Sequence, residues 1–138
     1  MTPPLPWRAA APVVPESTYV VTITRLPLRR HTRIPSVMRS TLRIVRQLAR
    51  SDGLIGYSLK ADLFAKTFWT VSVWRSEEAL ARFVRSDTHR TAMAAIGPHM
   101  AGPVIETSTA RGADLPPSWR EVTRRLSAVN GARRSREP

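Results

Sequence analysis

The chain has 138 residues, of which 42% are hydrophobic and 23% charged, as is typical of one soluble globular domain. It contains no cysteine, so disulfides, thiolate metal sites and cysteine nucleophiles are excluded. The formal net charge of +12 is nearly all arginine spread along the chain, so we expect weak adhesion to polyanions and no specific nucleic-acid partner.

Residues 1–16 are rich in proline and alanine and show no hydrophobic period, so they predict an extended N-terminal arm. This segment lacks the charged-then-apolar layout of a secretion signal. No apolar run approaches the length of about 18 residues that a membrane span needs. We therefore expect a cytoplasmic protein with no membrane partner.

The main domain is predicted over residues 17–129, beginning with a strand and a helix. The strand starts at Tyr19, where β-branched residues dominate the sequence YVVTITRL. Apolar residues then recur at three- and four-residue steps from Ile34 to Ala49, which predicts an amphipathic helix. Four arginines share the opposite face of that helix: Arg39, Arg43, Arg46 and Arg50. We favour a solvated outer face for them over an anionic docking ridge.

The centre of the chain predicts a hairpin followed by a broken helix. The segment LIGYSLKA and the segment from Lys66 to Trp74 form the two strands, joined by a short turn. Ser76 is the expected N-cap of the next helix, with two glutamates in the first turn. The pair Ser86-Asp87 interrupts that helix and caps a second segment, which Gly97-Pro98 ends.

A fourth strand is predicted from Gly102 to Thr109, and a final helix from Pro117 to about Val129 with an apolar edge of Trp119, Val122, Leu126 and Val129. Residues 130–138 are predicted to be a basic disordered tail. The order β-α-β-β-α-β with an added C-terminal helix predicts an α+β, ferredoxin-like fold: an antiparallel sheet with helices on one face.

The third strand is apolar on both of its sides, and this pattern is the basis for predicting an oligomer. Trp69, Val71 and Val73 alternate with Phe68 and Trp74. Since the ferredoxin-like order supplies helices for one face only, we predict a homodimer in which a partner sheet covers the other face and closes a barrel.

Two neighbouring motifs occur together in the centre of the chain. At Val73–Leu80 a strand ends in tryptophan and an acidic capped helix follows, and Ser86–His89 is a Ser-x-x-His break. The chain thereby resembles the antibiotic-biosynthesis-monooxygenase-like superfamily of dimeric α+β barrels over roughly residues 19–109. More distantly, it resembles the haem-containing carotenoid oxygenases of the spheroidene monooxygenase type. The superfamily includes cofactor-free oxygenases, haem-degrading enzymes, lyases and proteins without assigned activity, so the resemblance implies the fold more strongly than the reaction.

The haem-degrading branch departs from this sequence at three positions. Its macrocycle-contacting tryptophan corresponds to Phe83, its axial histidine to Met93, and its first-strand asparagine to a position near Thr24. The resemblance therefore implies no bound cofactor, with haem ligated by His89 or Met93 as the alternative. No spacing of histidine, aspartate and glutamate predicts a metal site.

The cofactor-free branch implies a dry pocket between sheet and helices. His89 is the candidate catalytic base, because histidine titrates near neutral pH and its helical stripe points inward. A structural histidine that bonds a loop carbonyl is the alternative, just as core packing is for the tryptophans. The candidate substrate-binding residues are Tyr57, Trp69, Ser72, Trp74 and Met93.

The leading hypothesis is a monooxygenase-like enzyme of secondary metabolism that acts, without a bound metal, on a hydrophobic aromatic or polyene small molecule. A haem-binding oxygenase-type protein is one alternative. A non-catalytic module that binds a small ligand or a partner is the other.

Overall fold

The computed structural model describes residues 7–136, with side chains described for residues 7–128. Five strands and four α-helices succeed one another in this part of the chain. They are β1 (Arg8–Ala9), β2 (Thr18–Pro27), α1 (Ile34–Ala49), β3 (Leu54–Asp62), β4 (Thr67–Trp74), α2 (Glu77–Arg85), α3 (Asp87–Ile96), β5 (Val104–Arg111) and α4 (Trp119–Arg136).

The strands form one antiparallel sheet in the order β1-β3-β4-β2-β5. The four long strands and the helices between them follow the predicted order, so the α+β, ferredoxin-like expectation is confirmed. The fifth strand was not predicted. Within the N-terminal arm, Arg8 and Ala9 pair with Tyr57 and Gly56 and add a short edge to the sheet.

Helices α1, α2 and α3 cover one face of the sheet, which we call the helix-facing side. Ser76 caps α2 by accepting a hydrogen bond from the Ala79 N–H at 3.2 Å. Ser86 ends α2 and caps α3 by accepting from the His89 N–H at 3.3 Å. The predicted break within this helical region is therefore confirmed. Leu48, Trp74 and other buried side chains join the helices to the sheet in two clusters.

The second face of the sheet is covered from within the same chain. Val122 and Leu126 of α4 are buried in one cluster with side chains of β2, β3, β4 and β5, and α4 contacts the sheet mainly at β5 and β2. The Trp7 ring lies directly against Gly56, where a Cβ atom would collide with it. The sequence reasoning did not count the C-terminal helix or the N-terminal arm as a cover for this face, and the homodimer stays a prediction.

The end of the last helix differs from the sequence expectation. Helix α4 continues to Arg136 instead of ending near Val129, because alanine and arginine after Asn130-Gly131 are good helix formers that continue the backbone hydrogen bonding. The structure does not describe residues 1–6 of the predicted arm or residues 137–138 of the predicted tail. The predicted packing of the Val129 side chain also lies outside the described residues. Within the described part of the chain, no helix has the length and apolar character of a membrane span.

Candidate functional site

A row of three hydroxyl side chains crosses the centre of the helix-facing side. Thr22 on β2 is paired in register with Ser72 on β4, which is paired with Tyr57 on β3. All three therefore project from the same face of the sheet. The Thr22 Oγ1 atom is buried and has no hydrogen-bond partner among the described residues. We call these residues the hydroxyl row; they place polar groups beneath the helices.

Three rings extend from this row toward the helices. The fully buried Trp74 donates from Nε1 to Ser72 Oγ at 2.9 Å. Its ring centroid lies 5.1 Å from that of Phe83, and the Phe83 centroid lies 4.9 Å from that of His89, edge to face. Trp74 therefore links the hydroxyl row to a ring series that ends at His89.

His89 is half-buried at the start of α3. Burial lowers the pKa of its imidazole because the charged form loses hydration, and a hydrogen bond to the Val84 backbone acts in the opposite direction. The ring is therefore neutral at neutral pH and can accept a proton. Its contacts with Phe83 and Val84 also fit the alternative assignment of His89 as a packing and capping residue.

An apolar cavity of about 290 Å³ lies between α1 and the strands β3 and β4. Its polar groups include Thr41 on α1 and Thr70 on β4. Thr70 lies two residues from Ser72 on the same side of its strand, so the cavity continues the hydroxyl row. We call this space the apolar cavity; its lining residues are Leu26, Met38, Thr41, Leu42, Leu59, Lys60, Ala61, Phe68, Trp69 and Thr70.

The predicted site residues divide between different parts of the molecule. Tyr57, Ser72 and Trp74 share the helix-facing side, and His89 reaches Trp74 through Phe83. Met93 packs with a separate cluster on that side, around Leu26 and Phe68.

Trp69 does not join this group. It borders the apolar cavity, but Lys60 Nζ lies 5.1 Å from its ring and 6.0 Å from the ring of Trp119 on α4. Trp69 and Trp74 differ by an odd number of residues along one strand, so their side chains leave opposite faces. The prediction that both line a single pocket is therefore not supported by the geometry.

Most residues that line the apolar cavity were not singled out from the sequence. A usable signal was present in Thr41, a hydroxyl residue within the apolar stripe of α1, and in Thr70, which follows the apolar Phe68 at the two-residue strand period. In the part of the chain with described side chains, no group of three metal-binding residues is found.

Comparison with known proteins finds similarity in a part of the sequence and in the fold. The sequence model of the antibiotic biosynthesis monooxygenase family matches residues 37–95, from α1 to α3. No curated protein matches the chain significantly. A Caulobacter crescentus structure assigned to the antibiotic biosynthesis monooxygenases is 23% identical with a TM-score of 0.61, over 69% of this chain and 92% of that one.

Two further structures share the fold. SnoaB of Streptomyces nogalater, a cofactor-independent oxygenase, is 14% identical with a TM-score of 0.54, over 72% of this chain and 98% of its own. A Lactobacillus acidophilus protein assigned as a monooxygenase is 7% identical with a TM-score of 0.62, over 77% of this chain. The chain spans about half, 51%, of the length of that protein. The resemblance found in the sequence is thus confirmed: the chain is antibiotic-biosynthesis-monooxygenase-like, in sequence over residues 37–95 and in fold over its ferredoxin-like sheet and helices.

Proposed function

We propose that the chain is a cytoplasmic monooxygenase-like enzyme of secondary metabolism that holds a hydrophobic aromatic or polyene molecule in the apolar cavity. The observation that carries this proposal is the cavity itself, which is apolar, about 290 Å³ in volume and edged by Thr41 and Thr70. Apolar walls with few convergent polar groups are typical of small-molecule sites. The family match over residues 37–95 supports an oxygenase reaction.

The proposed chemistry needs no bound metal, because the substrate supplies the electrons. A base removes a proton from an activated CH₂ group, and the resulting carbanion reduces O₂. One oxygen atom stays on the carbon as a carbonyl, and the other leaves with the two hydrogens as water. The hydroxyls of Thr41 and Thr70 orient the substrate, and the hydroxyl row leads from the cavity to Trp74.

His89 is proposed as the base or as an orienting group at the far end of the ring series. Because His89 does not line the apolar cavity, this role requires the reacting end of the substrate to extend from the cavity toward the ring series. Its neutral imidazole supports this role. Its contacts with Phe83 and the Val84 backbone support the structural alternative equally. Comparing oxygen uptake by His89→Gln with that of the unchanged protein separates the two: a base predicts a loss of about 100-fold or more, whereas a packing residue predicts reduced stability with turnover retained.

The proposal is tested by oxygen uptake with an anthrone, a tricyclic substrate with an activated CH₂ group. Leu42 is 51% exposed at the edge of the cavity, so Leu42→Trp fills the space at little cost in folding. We expect this variant to lose most turnover. Leu63→Trp is the matched control, since Leu63 is 45% exposed and does not line the cavity. Equal turnover in both variants would place the reaction elsewhere.

The non-catalytic alternative uses the same cavity. It predicts saturable quenching of tryptophan fluorescence by anthrone that Leu42→Trp abolishes, with neither oxygen uptake nor quinone product. Measuring both signals on the same samples separates an enzyme from a passive binding module.

Haem does not fit the residues present as well as a small apolar molecule does. Met93 packs in a cluster with Leu26, Phe68 and Ile96, and the His89 ring faces Phe83; neither residue lines the apolar cavity. Titration with haemin is therefore expected to give no Soret band beyond that of free haemin. A saturable red-shifted band, absent in His89→Ala or Met93→Ala, would restore the haem alternative.

A homodimer remains part of the proposal, on a different argument. Strand β5 is the outer strand of the sheet, and its Ile105 side chain is 61% exposed. An edge strand with an exposed apolar side chain favours pairing with another chain. Light scattering is expected to give the dimer mass, and Ile105→Lys the monomer mass. Phe64→Lys, at a turn residue that is 93% exposed, is the control that stays dimeric.

A further inference from the structure

A groove of about 610 Å³ separates α1 from α2 and the start of α3. Buried Ala79 and Phe83 form its apolar part, and Ser86 and Thr88 border it at the start of α3. Its cationic side chains, which we call the groove arginines, are Arg43, Arg46, Arg50 and Arg82. The groove shares no lining residue with the apolar cavity, although Phe83 in its lining also belongs to the ring series that ends at His89.

The charges in the groove are unbalanced. Asp52 is the acidic residue of the lining, and its Oδ2 lies 4.0 Å from Arg82. Arg82 also lies 3.7 Å from the exposed Glu78. The other three groove arginines form no ion pair with any acidic residue whose side chain is described. Among the lining residues, four guanidinium groups thus accompany one carboxylate, and a bound polyanion would relieve the mutual repulsion of the arginines.

The spacing of the arginines indicates the size of the anion. Arg43, Arg46 and Arg50 follow one another by three and four residues, so they share one side of α1 and extend about 10 Å along it. Guanidinium groups bind phosphate oxygens in a bidentate manner. Two or more linked phosphates offer oxygens to more of this row than a single phosphate does.

The rest of the groove suits an uncharged portion of the same ligand. Phe83 and Ala79 offer an apolar surface beside the cationic row. Gln47 Oε1 lies in this lining, is buried and accepts no hydrogen bond from the described residues. It can accept one from a ligand hydroxyl or amino group. The N-terminal end of α3 adds a favourable dipole for a negative charge.

We propose that this groove binds a small molecule in which a diphosphate or longer phosphate chain is joined to a planar or apolar group. The groove arginines hold the phosphates, and Phe83 and Gln47 contact the remainder. The arginine row that the sequence presents as a solvated face of α1 is, by this assignment, one wall of a binding site.

Calorimetric titration of the intact chain with ADP and with pyrophosphate tests the proposal, at about 150 mM salt so that diffuse attraction is screened. Both probes are expected to bind, and ADP more tightly. Arg46→Gln/Arg50→Gln should weaken ADP binding roughly 100-fold, since removing each charge-assisted hydrogen bond weakens binding about 10-fold. The matched control Arg39→Gln/Arg85→Gln removes the same charge from α1 and α2 outside the groove, and should change affinity less than about threefold.

Three results would overturn the proposal. Equal weakening by the two double variants would show nonspecific attraction to a cationic protein. Binding of ADP no tighter than that of inorganic phosphate would leave only a simple anion site. Tighter binding of a single-stranded RNA oligonucleotide through Arg46 and Arg50 would assign the groove to nucleic acid. Leu42→Trp, which fills the apolar cavity, should leave ADP binding unchanged if the two sites are independent.

Discussion

At the scale of single residues, Trp74 and Trp69 have different surroundings although they lie on the same strand, β4. Trp74 is fully buried, donates a hydrogen bond to Ser72 and lies tilted against the Phe83 ring, so it contacts the hydroxyl row from the side. Trp69 borders the apolar cavity and meets Lys60. Alternation along one strand separates two tryptophans that the sequence places only five residues apart.

His89 provides a residue-scale prediction about pH. Its folded-state pKa is below the ordinary value of 6.5 because of burial, so between these two pKa values the unfolded chain binds more protons than the folded one. Stability therefore falls as the pH drops from 6.5 toward the folded pKa, and above 6.5 the residue has no effect. Urea denaturation of the unchanged protein and of His89→Gln should show a difference that appears only on the acid side. A parallel pH dependence in both proteins would contradict the burial of this ring.

At the scale of elements, two serines set the paths of α2 and α3, and their contacts are unequal. Ser76 Oγ accepts one backbone hydrogen bond, from Ala79. Ser86 Oγ accepts from the His89 N–H and from Gln47 Nε2, and donates to the Phe83 carbonyl at 2.7 Å. It therefore joins the end of α2, the start of α3 and the middle of α1.

We expect Ser76→Ala to lower the free energy of unfolding by about 1 kcal/mol, the usual cost of losing an N-cap. Ser86→Ala should cost about 2 kcal/mol or more, because two helix ends and the Gln47 amide lose a partner. Urea denaturation measures both, and Ser76→Asp is the control that retains a cap. Equal losses in the two alanine variants would mean that Ser86 acts as a simple N-cap.

At the scale of the whole molecule, α4 decides how the sheet is covered. Val122 is 0% exposed and Leu126 3%, and Arg125 Nη1 donates to Ser108 Oγ on β5 at 2.7 Å. This helix, with the Trp7 ring, occupies the face that the sequence pattern assigned to a partner subunit. We therefore expect a dimer of this chain to use another surface, such as the edge strand β5.

We expect Val122→Asp/Leu126→Asp to destabilise the protein by at least about 3 kcal/mol, because two carboxylates cannot be buried without loss in the apolar cluster between α4 and the sheet. The uncovered face should then promote association, measured as a rise in mass by light scattering. Thr123→Asp/Ser127→Asp is the matched control, since it adds the same charge at the same spacing on exposed positions of α4. Unchanged stability in the first variant would show that α4 does not cover the sheet.

Much of this architecture could be predicted from local sequence. The β-branched alternation from Tyr19, the apolar stripe of α1, and Ser76 and Ser86 as caps each act through neighbouring residues, and the structure confirms all of them. The site was predicted less well. The hydroxyl row requires Thr22, Ser72 and Tyr57 to be in register on three strands, and register depends on contacts between residues far apart in the chain.

The sequence alone determined the α+β order of elements, the breaks between them and the family resemblance, because periodicity and capping are local properties. Tertiary structure alone decided three things. It placed Trp7 and α4 over the second face, it opened an apolar cavity between α1 and β4, and it set Arg82 opposite the arginines of α1. Each depends on which surfaces meet when the chain closes on itself, and a linear pattern does not contain that information.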